Sequence, residues 1–150
     1  MNSEQKLLKD YLFVGLQLIL LFIYILPINL IRFNLINGLY YFSILLMLLG
    51  FSLSGIALLQ INTKLSPFPT PKLNTTLHTN GAFKMSRHPI YTGILAITIG
   101  YGLYTTSLFK LLLAFLLLVL FYFKSKYEEQ LLIKKFPEYA AYKRKTRRFI

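Results

Sequence analysis

The chain of 150 residues has no cysteine and no tryptophan, and it is poor in acid: five Asp and Glu stand against seventeen Lys and Arg, for a formal net charge of +12. The lack of cysteine excludes disulfide frameworks, thiolate metal sites and a cysteine nucleophile. The acids are Glu4, Asp10, Glu128, Glu129 and Glu138, so no carboxylate occurs from Tyr11 to Tyr127. That gap excludes a soluble enzyme working through an internal acid–base pair, and it excludes proton-coupled transport, which needs a carboxylate inside the membrane. His78 and His88, with no acid near them in sequence, do not make a metal site. A strongly basic chain can signal nucleic acid. Here the charge sits on a sequence that is 55% apolar, which points instead to a membrane with an anionic surface.

Long uncharged runs dominate what is present. Leu12–Ile31 is long enough to cross about 30 Å of hydrocarbon as a helix, with Pro27 near its end as a tolerated kink. It is longer than a signal-peptide core and no small-residue cleavage site follows, so it reads as a retained helix. Further spans are expected at 39–61, 89–106 and 108–123. The uncharged part of the fourth is 111–123, and Lys110 and Lys124 are expected to snorkel to the interface. Tyr40, Tyr41, Tyr101, Tyr104, Tyr122 and Phe123 crowd the span ends as an interfacial belt. The fold class is therefore all-α: a polytopic membrane protein of about four transmembrane helices, forming a single domain over 1–150.

Four spans put the N-terminus, the central connection and the tail on one side. Those regions carry fifteen of the seventeen basic residues, including Lys64, Lys72, Lys84 and Arg87 in the connection, and leave only Arg32 and Lys110 opposite. The positive-inside rule places both termini and any active site in the cytoplasm, as in a bacterial inner-membrane protein. The connection contains Pro67, Pro69 and Pro71 in alternation and reads as a stiff, extended linker. The tail continues the fourth span to Phe136, and Pro137 then opens a basic amphipathic helix carrying Tyr139 and Tyr142 on one face, suited to anionic lipid.

Three features could carry chemistry. The third span opens on Arg87-His88-Pro89-Ile90-Tyr91. Proline suits the first helical position, and the free amides, the helix dipole and Arg87 together favour an anion. Glu128-Glu129 lies about one turn beyond the fourth span. This pair either joins Lys124 and Lys126 on a solvated face or holds a cationic or hydroxyl-bearing ligand at the membrane surface. Gly93, Ala96 and Gly100 share a face of span three, and Gly50 and Ser54 pair in span two, as close helix packing requires.

The pattern Leu77, Gly81, Phe83, Arg87-His88-Pro89-x-Tyr91-x-Gly93, a membrane hairpin, then Glu128-Glu129-x-x-Leu132-x-x-x-Phe136-x-x-Tyr139-x-x-Tyr142 resembles the isoprenylcysteine carboxyl methyltransferase family, which shares much with phospholipid methyltransferases. The resemblance covers residues 75–150. It implies an integral-membrane enzyme that transfers a methyl group from S-adenosylmethionine to a lipophilic or lipidated acceptor arriving from the bilayer, with the cofactor closed in by the C-terminal helices. It further implies cofactor contacts from Leu77, His78, Phe83, His88, Pro89, Ile90, Tyr91 and Glu128. Arg87, Lys124 and Glu129 are the candidates nearest the reaction, and Lys124 stands where the family often has an arginine beside the acceptor. Methyl transfer is carried largely by the cofactor, so no catalytic dyad is required. There are departures: His78 replaces an aliphatic residue, Thr75 replaces a polar ring, Pro137 replaces a glycine, and Lys124 is a point charge where Arg would be a fork. Carboxylate, amine and thiol acceptors all fit. Phospholipid amine methylation, an NADPH-dependent membrane reductase and a non-enzymatic membrane protein are the alternatives.

Overall fold

The structure, a computed structural model, describes residues 3–28, 30–34, 36–61, 66–71 and 76–150. Lys64, Lys72 and Thr75 lie outside the described residues. The described chain is helical with no named strand: α1 (Ser3–Ile25), α2 (Asn37–Ile61), α3 (Ala82–Met85), α4 (Pro89–Tyr104), α5 (Leu108–Lys135) and α6 (Tyr139–Lys145). Helices α1, α2 and α5 are long and apolar enough to cross a membrane; α4 is apolar but shorter, at 16 residues.

The boundaries follow from local chemistry and correct the sequence reading in places. Helix α1 starts at Ser3 and stops at Ile25, where 12–31 was expected. Pro27 ends it instead of kinking it, because the residue before proline is pushed out of the α region and proline offers no amide to continue the ladder. The Leu26 and Tyr24 carbonyls left at that end accept from Lys110 Nζ at 3.4 and 2.8 Å. Lys110 is thus not a snorkelling interfacial cation. It is 4% exposed, its ammonium caps a helix C-terminus, and it lies over the rings of Tyr24 and Tyr101. Helix α4 ends at Tyr104, two residues before the expected limit. The turn after it is tied to the α1–α2 connection by an Arg32–Ser107 bridge and by Leu108 N–H donating to Ile31 O. Ser107 caps α5, its hydroxyl accepting from the Lys110 amide. Helix α5 runs unbroken to Lys135, so one rod carries both an apolar half and the Glu128-Glu129 pair.

Helices α2 and α4 pack backbone to backbone. A Cβ built on Gly93 would lie 1.9 Å from Ser54 Oγ and 2.6 Å from Gly50 O, so only glycine permits this approach. Between α1, α4 and α5 the core centres on Leu95, Leu117 and Phe121, with Leu20, Leu21, Tyr91, Ile94 and Phe149 around it. The tail helix also differs from expectation. It begins at Tyr139, not at Pro137, with Glu138 at its N-cap, and Tyr139 and Tyr142 are both buried. Its aromatic face therefore packs into the protein, not onto lipid, leaving Arg144 and Lys145 exposed.

Candidate functional site

The start of α4 is built to aim side chains. Gly81, at φ 60°, turns the chain into the single turn α3; a Cβ there would fall 1.8 Å from Gln60 Nε2, and that amide's Oε1 accepts from Ala82 N–H at 3.0 Å. Ser86 Oγ accepts from His88 N–H and donates to Arg148 O, fixing the extended residues before Pro89. The C-terminal residues then lie alongside: Arg87 and His88 N–H donate to Arg147 O and Arg148 O. The C-terminus is a strap laid over the head of α4.

Beneath the strap, Glu129 is 1% exposed and gathers the basic groups. Its Oε1 accepts from Arg87 Nε at 3.0 Å and Nη2 at 2.9 Å and from Arg148 Nε at 2.9 Å. Its Oε2 accepts from Arg148 Nη2 at 3.0 Å and lies 3.2 Å from Lys143 Nζ. Arg87 Nη1 is spent on the Lys143 and Thr146 carbonyls. So Glu129 does not pair with Lys124 or Lys126 on a solvated face, and Arg87, its guanidinium held by Glu129 and by backbone carbonyls, is not free to receive an anion. Together they are a clasp joining α4, α5, α6 and the tail. The Arg148 guanidinium is held above its ordinary pKa by the Glu129 hydrogen bonds. Burial pushes the Tyr142 phenol up to about 12, so it stays protonated and donates to Phe83 O at 2.5 Å, tying α6 to α3.

In front of the clasp is a cavity of about 450 Å³. Tyr91 is its centre: it stacks between His88 (5.4 Å, 4°) and Phe121 (4.6 Å, 12°), its hydroxyl donates to Glu128 Oε2 at 3.1 Å, and Lys124 Nζ lies 5.2 Å from its ring. Glu128 Oε2 is also 3.7 Å from His88 Nδ1. Leu77, His78, Phe83, Arg87, His88, Pro89, Ile90, Tyr91, Lys124 and Glu128 all line this one space, and Glu129 alone of the candidates sits behind it. His78 lies beside Phe83 on one wall. Lys124, 1% exposed, is not at an open interface: its ammonium donates to Gln17 Oε1 at 2.6 Å.

Several wall residues were not singled out in the sequence. Gln17 belongs to an apolar run, and one amide in such a run gives no periodic signal. The segment from Ser66 to Pro71, expected to be only a linker, forms a wall of the cavity, with Phe68 edge-on to Tyr11 of α1. Tyr139 also lines the cavity, and its buried hydroxyl has no hydrogen-bond partner among the described residues.

No curated protein matches the chain. A family comparison is decisive: the phospholipid methyltransferase family matches residues 39–139, from within α2 to the start of α6, and so takes in Arg87, His88, Tyr91, Lys124, Glu128 and Glu129. The chain belongs to the phospholipid methyltransferase family.

Proposed function

We propose that this protein is an S-adenosylmethionine-dependent methyltransferase acting on a lipophilic acceptor held in the membrane. The observation that carries the reading is the single cavity where the head of α4, with His88 and Tyr91, meets Glu128 of α5, in a chain of a methyltransferase family. The lining fits the cofactor's chemistry. Glu128 can accept from a ribose diol or an ammonium, and Phe83 offers a ring face to a purine or a sulfonium beside the His88–Tyr91 stack. When bound, the cofactor supplies an activated methyl group on sulfur. The chain's own residues orient the partners and exclude water. Tyr91 fixes the Glu128 carboxylate, and the Glu129 clasp holds α6 over the space.

Helices α1, α2, α4 and α5 all cross the bilayer in this reading, with both termini and the cavity in the cytoplasm. Fifteen of seventeen basic residues at one end support that orientation. The acceptor group read first is a carboxylate of the isoprenylcysteine type, because Lys124 offers an ammonium with no carboxylate in ion-pair range among the described residues. A phospholipid amine is the second reading, favoured by the family match and by Glu128 in the cavity wall.

Purified protein in detergent, titrated separately with S-adenosylmethionine and NADPH, tests the cofactor. Saturable binding of S-adenosylmethionine is expected, weakened about tenfold or more by Glu128→Ala. Binding of NADPH alone would replace the reading with a reductase.

A further inference from the structure

A second space, of about 400 Å³, is not used by the proposed reaction. It lies among α1, α2 and α4, walled by Leu21, Met47, Phe51, Ile94, Ile97 and Tyr101. Helix α1 meets α4 through long side chains such as Tyr24, whereas α2 and α4 approach backbone to backbone, and the space left between them is a furrow along α4. The few polar atoms at its edge are already spent. Thr98 Oγ1 donates to Ile94 O or Leu95 O of its own helix, and Tyr24 OH donates to Thr98 O at 2.5 Å. That last bond, with Tyr24 and Tyr101 6.2 Å apart and Lys110 over both rings, closes one end of the furrow. The other end adjoins the main cavity, with Ile94 lining both spaces.

From these observations we propose that the furrow holds one hydrocarbon chain of the acceptor, while the acceptor's polar group sits in the cavity near Lys124 and Glu128. This rests on the methyltransferase reading for the identity of the occupant. Ile94 to Tyr101 is about 10 Å of helix, room for about eight methylenes before the tyrosine–lysine plug. A chain already dissolved in lipid gains little by moving from one apolar surroundings to another, so the furrow acts chiefly by aligning the polar end.

The test uses one probe for each acceptor reading, a prenylcysteine with a diazirine midway along its prenyl chain and a phosphatidylethanolamine with a diazirine midway along one acyl chain, each photolysed with the full-length protein in detergent. Leu21→Trp and Met47→Trp fill the furrow from α1 and from α2, so one can fail to fold without ending the test. Labelling near Ile97–Tyr101 is expected to exceed that at the exposed Leu48 and Leu49 of α2, to be competed by unlabelled lipid, and to fall at least fivefold in either folded variant. Methyl transfer from labelled S-adenosylmethionine into extractable lipid should fall about tenfold with cofactor affinity unchanged. With both probes, uncompeted labelling no greater than at Leu48, or labelling unaffected in folded variants, would overturn the furrow. Lost label with undiminished transfer would mean a structural lipid and would overturn the acceptor assignment. Specific labelling in protein that binds no S-adenosylmethionine would support the furrow and refute the proposed reaction.

Discussion

Replacing Glu129 by Gln keeps the shape of the side chain but removes the one charge on which Arg87, Arg148 and Lys143 converge. Glu129 is 1% exposed and Arg87 8%, so their separation is the loss of a buried pair by removal of one partner, about 3–5 kcal/mol. Lys143 is 41% exposed on its side chain, so its share is screened and falls below about 1 kcal/mol. With about 3 kcal/mol lost, set against the usual 5–15 kcal/mol of a folded domain, the bundle should survive while the lid does not. At 1.4 kcal/mol per tenfold change, the population with α6 and the tail detached rises about a hundredfold. Limited trypsin digestion reads this directly, since Lys143–Arg148 is rich in cleavage sites and cleavage follows the open population when opening is fast. The Gln variant should lose its C-terminus about a hundred times faster than the parent, and Lys143→Met less than about fivefold faster. Equal cleavage rates for Glu129→Gln and the parent, with both folded, would refute the clasp.

Gly93→Leu forces a side chain into Ser54 and the Gly50 carbonyl; it should destabilise the α2–α4 pair by about 1–3 kcal/mol in thermal unfolding, while Gly55→Ala, which meets nothing within 4 Å, should change it little. Lys110→Met strips the cap from Tyr24 O and Leu26 O; a loss of about 1–2 kcal/mol is expected in the same measurement with cofactor affinity intact. Tyr91→Phe frees Glu128 from its fixed hydrogen bond and should weaken S-adenosylmethionine binding several-fold by titration while leaving trypsin resistance of the tail unchanged.

Much of the site was legible because it departs from its surroundings. Arg87-His88-Pro89 interrupts an apolar sequence at a helix start, and Glu128-Glu129 ends a long stretch without acid. The sequence reading put both on one side of the membrane; the structure brings Arg87, His88, Pro89 and Glu128 to one cavity and sets Glu129 behind it. Which carboxylate does what was not legible: Glu128 and Glu129 are adjacent, but the turn of α5 sends one to Tyr91 and the cavity and the other to three cations behind it. The partner of Arg87 could not be read either, since Arg148 and Glu129 are joined only once the tail folds back. Lys110 looked like an interfacial cation because sequence shows its neighbours in the chain and not the α1 carbonyls it caps. Gln17 and the Ser66–Pro71 wall escaped because a single amide among leucines, or prolines in a connection, have many bland uses. Helix ends shifted where proline acts: Pro27 stopped α1 early, and the helix after Pro137 begins at Tyr139.

The central claim is transfer of a methyl group to a membrane-borne acceptor. The measurement that meets it most directly is incubation of purified protein with methyl-labelled S-adenosylmethionine and membranes of its host, followed by separation of lipid and protein. The expected result is label in a lipid or lipidated species, dependent on the protein and abolished by Glu128→Ala in a folded variant. Label absent from every fraction, with the protein folded and the cofactor intact, would contradict the account.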